Sequence, residues 1–385
     1  MLGPAVHMLA LHSLLLHMIY SVLYSGESRG LGAFCTTAKY QGGTVRIRVL
    51  RFERKRDISR EVMKEMKLMR ELRHDNVNSF IGACVDMGHD QHAITLITEY
   101  CAKGALNDTL ENMDIKLDHM FLSSLIHDLI KGMLFLHGSD MGLHGNLRSS
   151  NCVITSRWTL QVADFGLHEL RTASETQSGC EHIEAYKQLW HAPELLRHPG
   201  LKCTQKADIY AFGIILYEIY GRLGPYGEEE HQFTVPHILH KVKVPTEGEE
   251  HMRPNIAALR DLANENDSEL PEYMLTLMQE CWAEDAESRP DFTAIRNKSK
   301  PLRQGMKNNI MDQMVEMLEK YSNNLEDLVM ERTRQLCEEK QKTEDLLHRM
   351  LPPSVARKLT QVIVTYYLVI SNSLISGHWR GTRNI

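Results

Sequence analysis

Residues 1–26 contain no lysine, arginine, aspartate or glutamate, and residues 360–385 contain no aspartate or glutamate. The first absence removes the basic n-region of a secretory signal. It leaves a stretch long enough to span a bilayer, although Pro4, His7, His12 and His17 interrupt it. Two readings stand. One is a membrane anchor, with Arg29 and Lys39 just downstream favouring a cytosolic remainder. The other is an unstructured segment in place of a first strand. The second absence means that no metal-binding carboxylate pair comes from the tail. The tail's apolar run, Val362 to Ile370, is too short to span and is expected to pack or aggregate. The eight cysteines form no C-x-x-C pair, which argues against a zinc site or a disulfide framework and for reduced thiols in a cytosolic setting. Among 20 histidines there is no H-E-x-x-H, and His237 and His240 have no acidic partner on their own helix turn. The net charge is −6 without a basic stripe, so nucleic acid is not an expected partner. There is no internal repeat and no low-complexity linker.

What is present begins with His144-Gly145-Asn146-Leu147-Arg148-Ser149-Ser150-Asn151. This resembles the protein-kinase catalytic loop H-R-D-L-x-x-x-N with its acid replaced by Asn146. In a working kinase that aspartate accepts the proton of the substrate hydroxyl. An amide takes up no proton near neutral pH, so Asn146 is a degenerate base position. Gly145 replaces the arginine that would pair with an activation-loop phosphate. The frame around the loop is intact: Asp164-Phe165-Gly166 as D-F-G, Ala192-Pro193-Glu194 as A-P-E, Asp208 opening an apolar run to Ile219, and Arg289 placed to pair with Glu194.

Upstream, Ile94 to Glu99 reads as a strand that ends in a hinge, with Thr98 as gatekeeper and the main chains of Glu99 and Cys101 facing an adenine edge. Arg60 to His74 has helical periodicity and carries Glu65 at the αC position. The segment Val45-Arg46-Ile47-Arg48 stands where V-A-I-K belongs. Arg48 keeps the charge and changes its geometry; Glu65 either pairs with it or faces solvent if its helix swings out. Arg46 stands where an alanine would roof the adenine, and Gly26, Gly30 and Gly32 do not form G-x-G-x-x-G. The nucleotide-binding candidates are therefore Arg48, Glu65, Thr98, Glu99, Cys101 and Val153, and the metal candidates are Asn151 and Asp164. Thr172, Ser174, Thr176 and Ser178 read as phosphate acceptors or as a mobile loop.

The H-G-N loop followed by Cys152-Val153-Ile154 is similar to the kinase homology domain of receptor (membrane) guanylate cyclases. So are Phe80-Ile81-Gly82-Ala83-Cys84-Val85-Asp86, the run from Trp158 to Leu167, and Leu189-Trp190-His191-Ala192-Pro193-Glu194-Leu195-Leu196. The resemblance runs from Phe34 to Leu359. It implies an α+β, bilobal protein-kinase-like fold followed by a long coiled-coil helix. It also implies ATP with Mg²⁺ or Mn²⁺ as a regulatory ligand, and a place at the cytosolic face of the plasma membrane, or in the cytoplasm if residues 1–26 are not an anchor. Arg46 and Arg48 depart from the family's V-A-V-K and put the ATP role in question.

From Ile310 to Leu351 there is neither proline nor glycine, and Met311, Met314, Leu318, Tyr321, Leu325 and Leu328 form a heptad seam. Val329 and Leu336 fit a register shifted by one step, a stutter. The seam resembles the family's dimerisation and signalling helix, so residues 311–351 are expected to pair with a second copy or with a full-length receptor guanylate cyclase. The alternative is a single helix packed on the large lobe. Met350-Leu351-Pro352-Pro353-Ser354-Val355-Ala356 resembles the family's cyclase entry, after which the resemblance stops. The expected organisation is an apolar segment 1–30, a kinase-like domain 31–305, a signalling helix 306–351, and a truncated cyclase entry with tail 352–385. A short isoform or an incomplete gene would give that ending. The expected function is a catalytically inactive regulatory module in cyclic GMP signalling. The alternatives are guanylate cyclase activity (GTP to cyclic GMP), belonging to the parent family, and an active protein kinase.

Overall fold

The computed structural model describes residues 36–303 and 322–342, apart from 53, 55–57, 88, 89, 116, 176–180, 228, 245–250, 266–269 and 323. The segment 1–26, the glycines Gly26, Gly30 and Gly32, Thr176 and Ser178, the seam before Ser322 and after Lys342, and the cyclase-entry segment with its tail lie outside the described residues. The chain divides into two compact units, Met1–Met317 and Leu318–Ile385.

Alternation builds the small lobe. Strands β1 (Thr36–Tyr40) and β2 (Gly43–Arg51) pair antiparallel, followed by helix α1 (Arg60–Glu71) and strands β3 (Phe80–Met87) and β4 (Asp90–Glu99). The sheet is 4-stranded in the order β1-β2-β4-β3. On β2 the buried Val45 and Ile47 pack with Ala38, Cys84 and Ile97. With a period of two, Arg46 and Arg48 then point to the opposite face, toward the helical lobe. Helix α1 starts at Ser59, whose hydroxyl accepts from the Val62 amide at 3.2 Å, and it buries Val62 and Met69.

The second lobe is mostly helical. After α2 (Leu106–Glu111) comes α3 (His119–Gly138), capped by Asp118, which accepts from the Phe121 amide at 2.8 Å. Helix α3 is long and apolar enough to cross a membrane. Here its Leu125, Leu129, Met133 and Leu136 are buried in the lobe's core, the position of a central helix rather than a span. Short strands β5 (Cys152–Ile154) and β6 (Leu160–Val162) form a hairpin, followed by α4 (His168–Glu175), α5 (Glu181–Lys187) and α6 (Pro193–Arg197). Helix α7 (Gln205–Gly221) is buried all round from Ala207 to Gly221, as its apolar run predicts. Helices α8 (Val235–Lys243), α9 (Ile256–Glu265), α10 (Glu272–Cys281) and α11 (Phe292–Lys298) complete the lobe. This is the bilobal α+β fold the sequence implies. In the second unit a helix, α12, runs over 324–342.

Candidate functional site

The cleft between the lobes is built from β2, the hinge after β4, β5, and the turns around Asn146 and Asp164. Thr98 pairs with Arg46 across the β2–β4 ladder. The Glu99 amide donates to the Ser79 carbonyl at 3.0 Å, and its carbonyl accepts from Asn78 Nδ2 at 3.3 Å. Cys101, Val153 and Ala163 pack as one apolar cluster under the hinge. A buried amide network, Asn78 Nδ2 to Gln161 Oε1 at 3.1 Å and Gln161 Nε2 to the Asp75 carbonyl at 3.1 Å, ties the hinge to β6. Each buried amide finds a partner, which is the condition for keeping polar groups there.

The catalytic-type loop hangs from Asp208 at the start of α7. Its carboxylate accepts from the amides of His144 at 2.7 Å and Gly145 at 2.9 Å, and faces His137 Nε2 at 3.0 Å. His144 Nδ1 accepts from the Asn146 amide at 3.2 Å. Burial lowers the His144 pKa to about 4, so the ring is neutral with its proton on Nε2. The Asn146 side chain donates through Nδ2 to the Asp164 main-chain carbonyl at 3.2 Å. Asn151 Nδ2 donates to the Asn146 carbonyl at 2.7 Å. The base position thus acts as a hydrogen-bond donor that braces the loop against the D-F-G turn.

That turn is strained. Asp164, Gly166 and Leu167 all have positive φ, at 59°, 64° and 52°. Only glycine fits at 166, where a Cβ would lie 2.8 Å from Met141 Cε and 2.9 Å from Glu65 Oε1. A leucine in the left-handed region costs about 1–2 kcal/mol. It is held there by Glu65, whose Oε1 accepts the Leu167 amide at 2.8 Å. Glu65 is therefore spent on the turn rather than on Arg48 or solvent, and Arg48 takes another partner. Arg48 Nη1 donates to Asp164 Oδ2 at 2.7 Å, and Arg46 Nη2 lies 3.5 Å from the same oxygen. On the other side, Arg171 Nη2 stands 3.7 Å from Asp164 Oδ1 and its Nε donates to the Gly166 carbonyl at 2.9 Å. Arg171 arrives on α4, so the stretch that begins the activation segment is a helix carrying Thr172 and Ser174.

Burial alone would raise the pKa of Asp164. The guanidinium groups of Arg48, then Arg171, Arg46 and Arg148, reverse this and hold it well below the usual carboxylate range. A carboxylate whose oxygens face three guanidinium groups does not fit Mg²⁺ or Mn²⁺, which would have to displace Arg48 or sit among like charges. Among the described residues no group of 3 or more His, Cys, Asp or Glu could hold a metal ion. Sequence reasoning missed Glu218, buried on α7, whose Oε1 accepts from Ser149 Oγ at 2.7 Å and Oε2 from Trp190 Nε1 at 2.8 Å. An acid inside the apolar run was the signal that pointed to it.

A family model described as protein tyrosine and serine/threonine kinase matches residues 19–298, and one described as heme NO binding associated matches residues 302–359. The chain is 57% identical over 335 residues to receptor-type guanylate cyclase Gyc76C of Drosophila melanogaster, covering 86% of this chain and 21% of that protein. It is 44% identical to the resact receptor of Arbacia punctulata, covering 89% of this chain and 33% of the receptor. It is also 44% identical to guanylate cyclase 32E of Drosophila melanogaster, covering 88% and 28%. The chain therefore spans between 21% and 33% of the length of these relatives. With the lobes, the D-F-G turn, the Asp208 anchor and the Arg289–Glu194 pair in place, the chain belongs to the protein tyrosine and serine/threonine kinase family and is built like the kinase-like portion of receptor-type guanylate cyclases.

Proposed function

We propose that this chain is a non-phosphorylating regulatory module of the receptor guanylate cyclase type, which works by controlling a cyclase rather than by transferring phosphate. One observation carries the reading. The side chain at the base position is an amide that donates to the Asp164 carbonyl, while the Asp164 carboxylate is committed to Arg48. Base and metal ligand are thus used to brace the cleft. The module is proposed to sit at the cytosolic face of the plasma membrane with cyclisation of GTP as the activity under control, a reading that the names of the relatives, receptor-type guanylate cyclase Gyc76C and guanylate cyclase 32E, support.

The test is transfer of labelled γ-phosphate from ATP to the chain itself and to a generic protein substrate. No incorporation is expected, and Asn146→Asp alone is expected to restore none, because Arg48 still holds Asp164. Incorporation that disappears in Asp164→Ala would sink the reading in favour of a working kinase.

Output through a dimer is the second part of the reading. On α12, Leu325, Val329 and Leu336 are 42%, 64% and 66% exposed. An apolar seam of this kind is typical of a helix that pairs with another copy. Sedimentation equilibrium is expected to give twice the chain mass at tens of micromolar, and Leu325→Asp with Val329→Asp should return it to the monomer. A monomer before substitution, or a dimer indifferent to it, refutes pairing through this helix. The same seam supports a mixed pair with a full-length receptor guanylate cyclase.

A further inference from the structure

We infer that the outer face of α1 docks on an anionic lipid surface, with Arg60, Lys64, Lys67 and Arg70 meeting the headgroups and Met63 entering the boundary beneath them. The inference goes beyond control of a cyclase and rests on the proposed place at the membrane. Its test needs neither phosphoryl transfer nor a cyclase, so the two readings fail separately.

In sequence α1 reads as mixed charge, Arg60-Glu61-Val62-Met63-Lys64-Glu65-Met66-Lys67-Leu68-Met69-Arg70-Glu71. A helix advances by about 100° per residue, and this period sorts the charges. Arg60, Met63, Lys64, Lys67, Arg70 and Glu71 fall within about 120° of arc, and all of them are exposed. The opposite side buries Val62 and Met69. Glu61 lies off the exposed arc, and Glu65 is turned inward, where it accepts the Leu167 amide at 2.8 Å. The outer face therefore carries four cations and one carboxylate on a chain whose net charge is −6.

That carboxylate, Glu71, lies 3.9 Å from Lys67, and the two side chains are 60% and 71% exposed. A contact this long and this open to water neutralises little. Arg60, Lys64 and Arg70 make no ion pair among the described residues. Cations three and four residues apart on a helix repel one another, and the described fold brings them no further carboxylate. An external anion removes that repulsion.

The apolar member of the face decides which anion. Met63 is 51% exposed and stands among the cations, one residue before Lys64 and four before Lys67. Cations with an apolar side chain between them are the composition of a helix that lies in a lipid interface. The long lysine and arginine stems let the charges reach phosphate level while the thioether sits lower. An acidic polypeptide would satisfy the charges alone, whereas a lipid surface satisfies both the charges and Met63. Docking would also hold the helix whose inner side, through Glu65, braces the D-F-G turn.

The experiment is cosedimentation of the full chain with phosphatidylcholine vesicles, pure or containing about one-third phosphatidylserine. Binding to the anionic vesicles is expected to be roughly tenfold stronger or more, and to lose that margin as salt rises from about 0.1 M to about 0.5 M. Lys64→Gln with Lys67→Gln should weaken it roughly tenfold, and Met63→Ala a few-fold. Circular dichroism establishes that the variants are folded. Adhesion through the uncharged residues 1–26 would not follow lipid charge, so a second readout is local. Acetylation of Lys64 and Lys67 by a water-soluble reagent, read by mass spectrometry against Lys202 of the helical lobe, is expected to slow severalfold on anionic vesicles only. Equal binding to both vesicles, no protection of Lys64 and Lys67, or binding indifferent to the lysine substitutions would overturn the inference. Protection of the two lysines by polyglutamate but not by vesicles would also overturn it, in favour of an acidic polypeptide.

Discussion

Replacing Arg289 by alanine is expected to lower the free energy of unfolding by about 3–5 kcal/mol, the range for removing one partner of a buried pair. The side chain is wholly enclosed and its donors are spread over several elements. Nη1 and Nη2 form a fork with Glu194 Oε1 and Oε2 at 2.7 Å and 2.9 Å. Nε donates to the Ala283 carbonyl at 2.9 Å, and Nη1 also reaches the Lys206 carbonyl at 3.0 Å. The guanidinium carbon sits 5.3 Å from the Tyr210 ring centroid. Alanine leaves a carboxylate and three carbonyls, those of Ala283, Lys206 and Glu284, without this donor and opens a cavity beside Tyr210. Lysine restores the charge but not the fork, so Arg289→Lys is expected to recover less than half of the loss. Urea unfolding with an unchanged slope is the measurement. A loss below about 1 kcal/mol, or a lysine variant equal to the arginine, would show that the pair closing the A-P-E segment is dispensable.

How much of this was legible in the sequence depends on the range of the interaction. Asp208, Asp164 and Arg289 were readable because each sits in a short motif whose role is set by the fold. Helix α7 was readable from its apolar run, and the placement of Arg46 and Arg48 at the cleft followed from their match to V-A-I-K. The partner of Arg48 was not readable. Glu65 and Asp164 both lie within reach of that strand, and the choice between them is decided by the Leu167 amide, which claims Glu65 at 2.8 Å. That amide is oriented by a left-handed turn and by α4, and nothing local in the sequence announces either. The stretch holding Thr172 and Ser174 read as a loop for the same reason: its helix places Arg171 against Asp164 and Gly166, a tertiary gain that short polar residues do not advertise.

Stability of the domain is expected to fall as pH rises between about 4.5 and 8, and the fall should shrink in Glu218→Gln. Glu218 is 3% exposed on α7. Burial raises its pKa to about 8, aided by the charges of Glu230 and Glu111 and opposed by the hydrogen bonds from Ser149 and Trp190. In the folded chain the carboxyl is therefore neutral at pH 5–7, while in the unfolded chain it ionises near the ordinary glutamate value of 4.5. Between those values the native state holds one proton more than the unfolded state, so stability drops by about 1.4 kcal/mol per pH unit. The full contribution is present below the unfolded value and is lost as pH passes the folded one, roughly 3–5 kcal/mol in all. Glutamine does not ionise. Its Oε1 still accepts from Trp190 Nε1, and its Nε2 donates to Ser149 Oγ. The variant should match the parent near pH 5 and exceed it by a few kcal/mol at pH 8. Asp128 and Glu229, raised by burial to about 6 and about 7, add to the fall, and His144, lowered by burial to about 4, opposes it up to about pH 6.5; all three act alike in both proteins. The difference between the two curves therefore isolates Glu218. Denaturant midpoints across this range decide the matter, and parallel curves would mean that Glu218 is already ionised in the fold. Because its two hydrogen bonds tie Ser149 of the catalytic-type loop to Trp190 just before Ala192-Pro193-Glu194, ionising it places a buried charge at the junction of those segments. Loss of protection from hydrogen exchange at Ser149 and Trp190 should accompany the loss of stability, and should be absent from the glutamine variant.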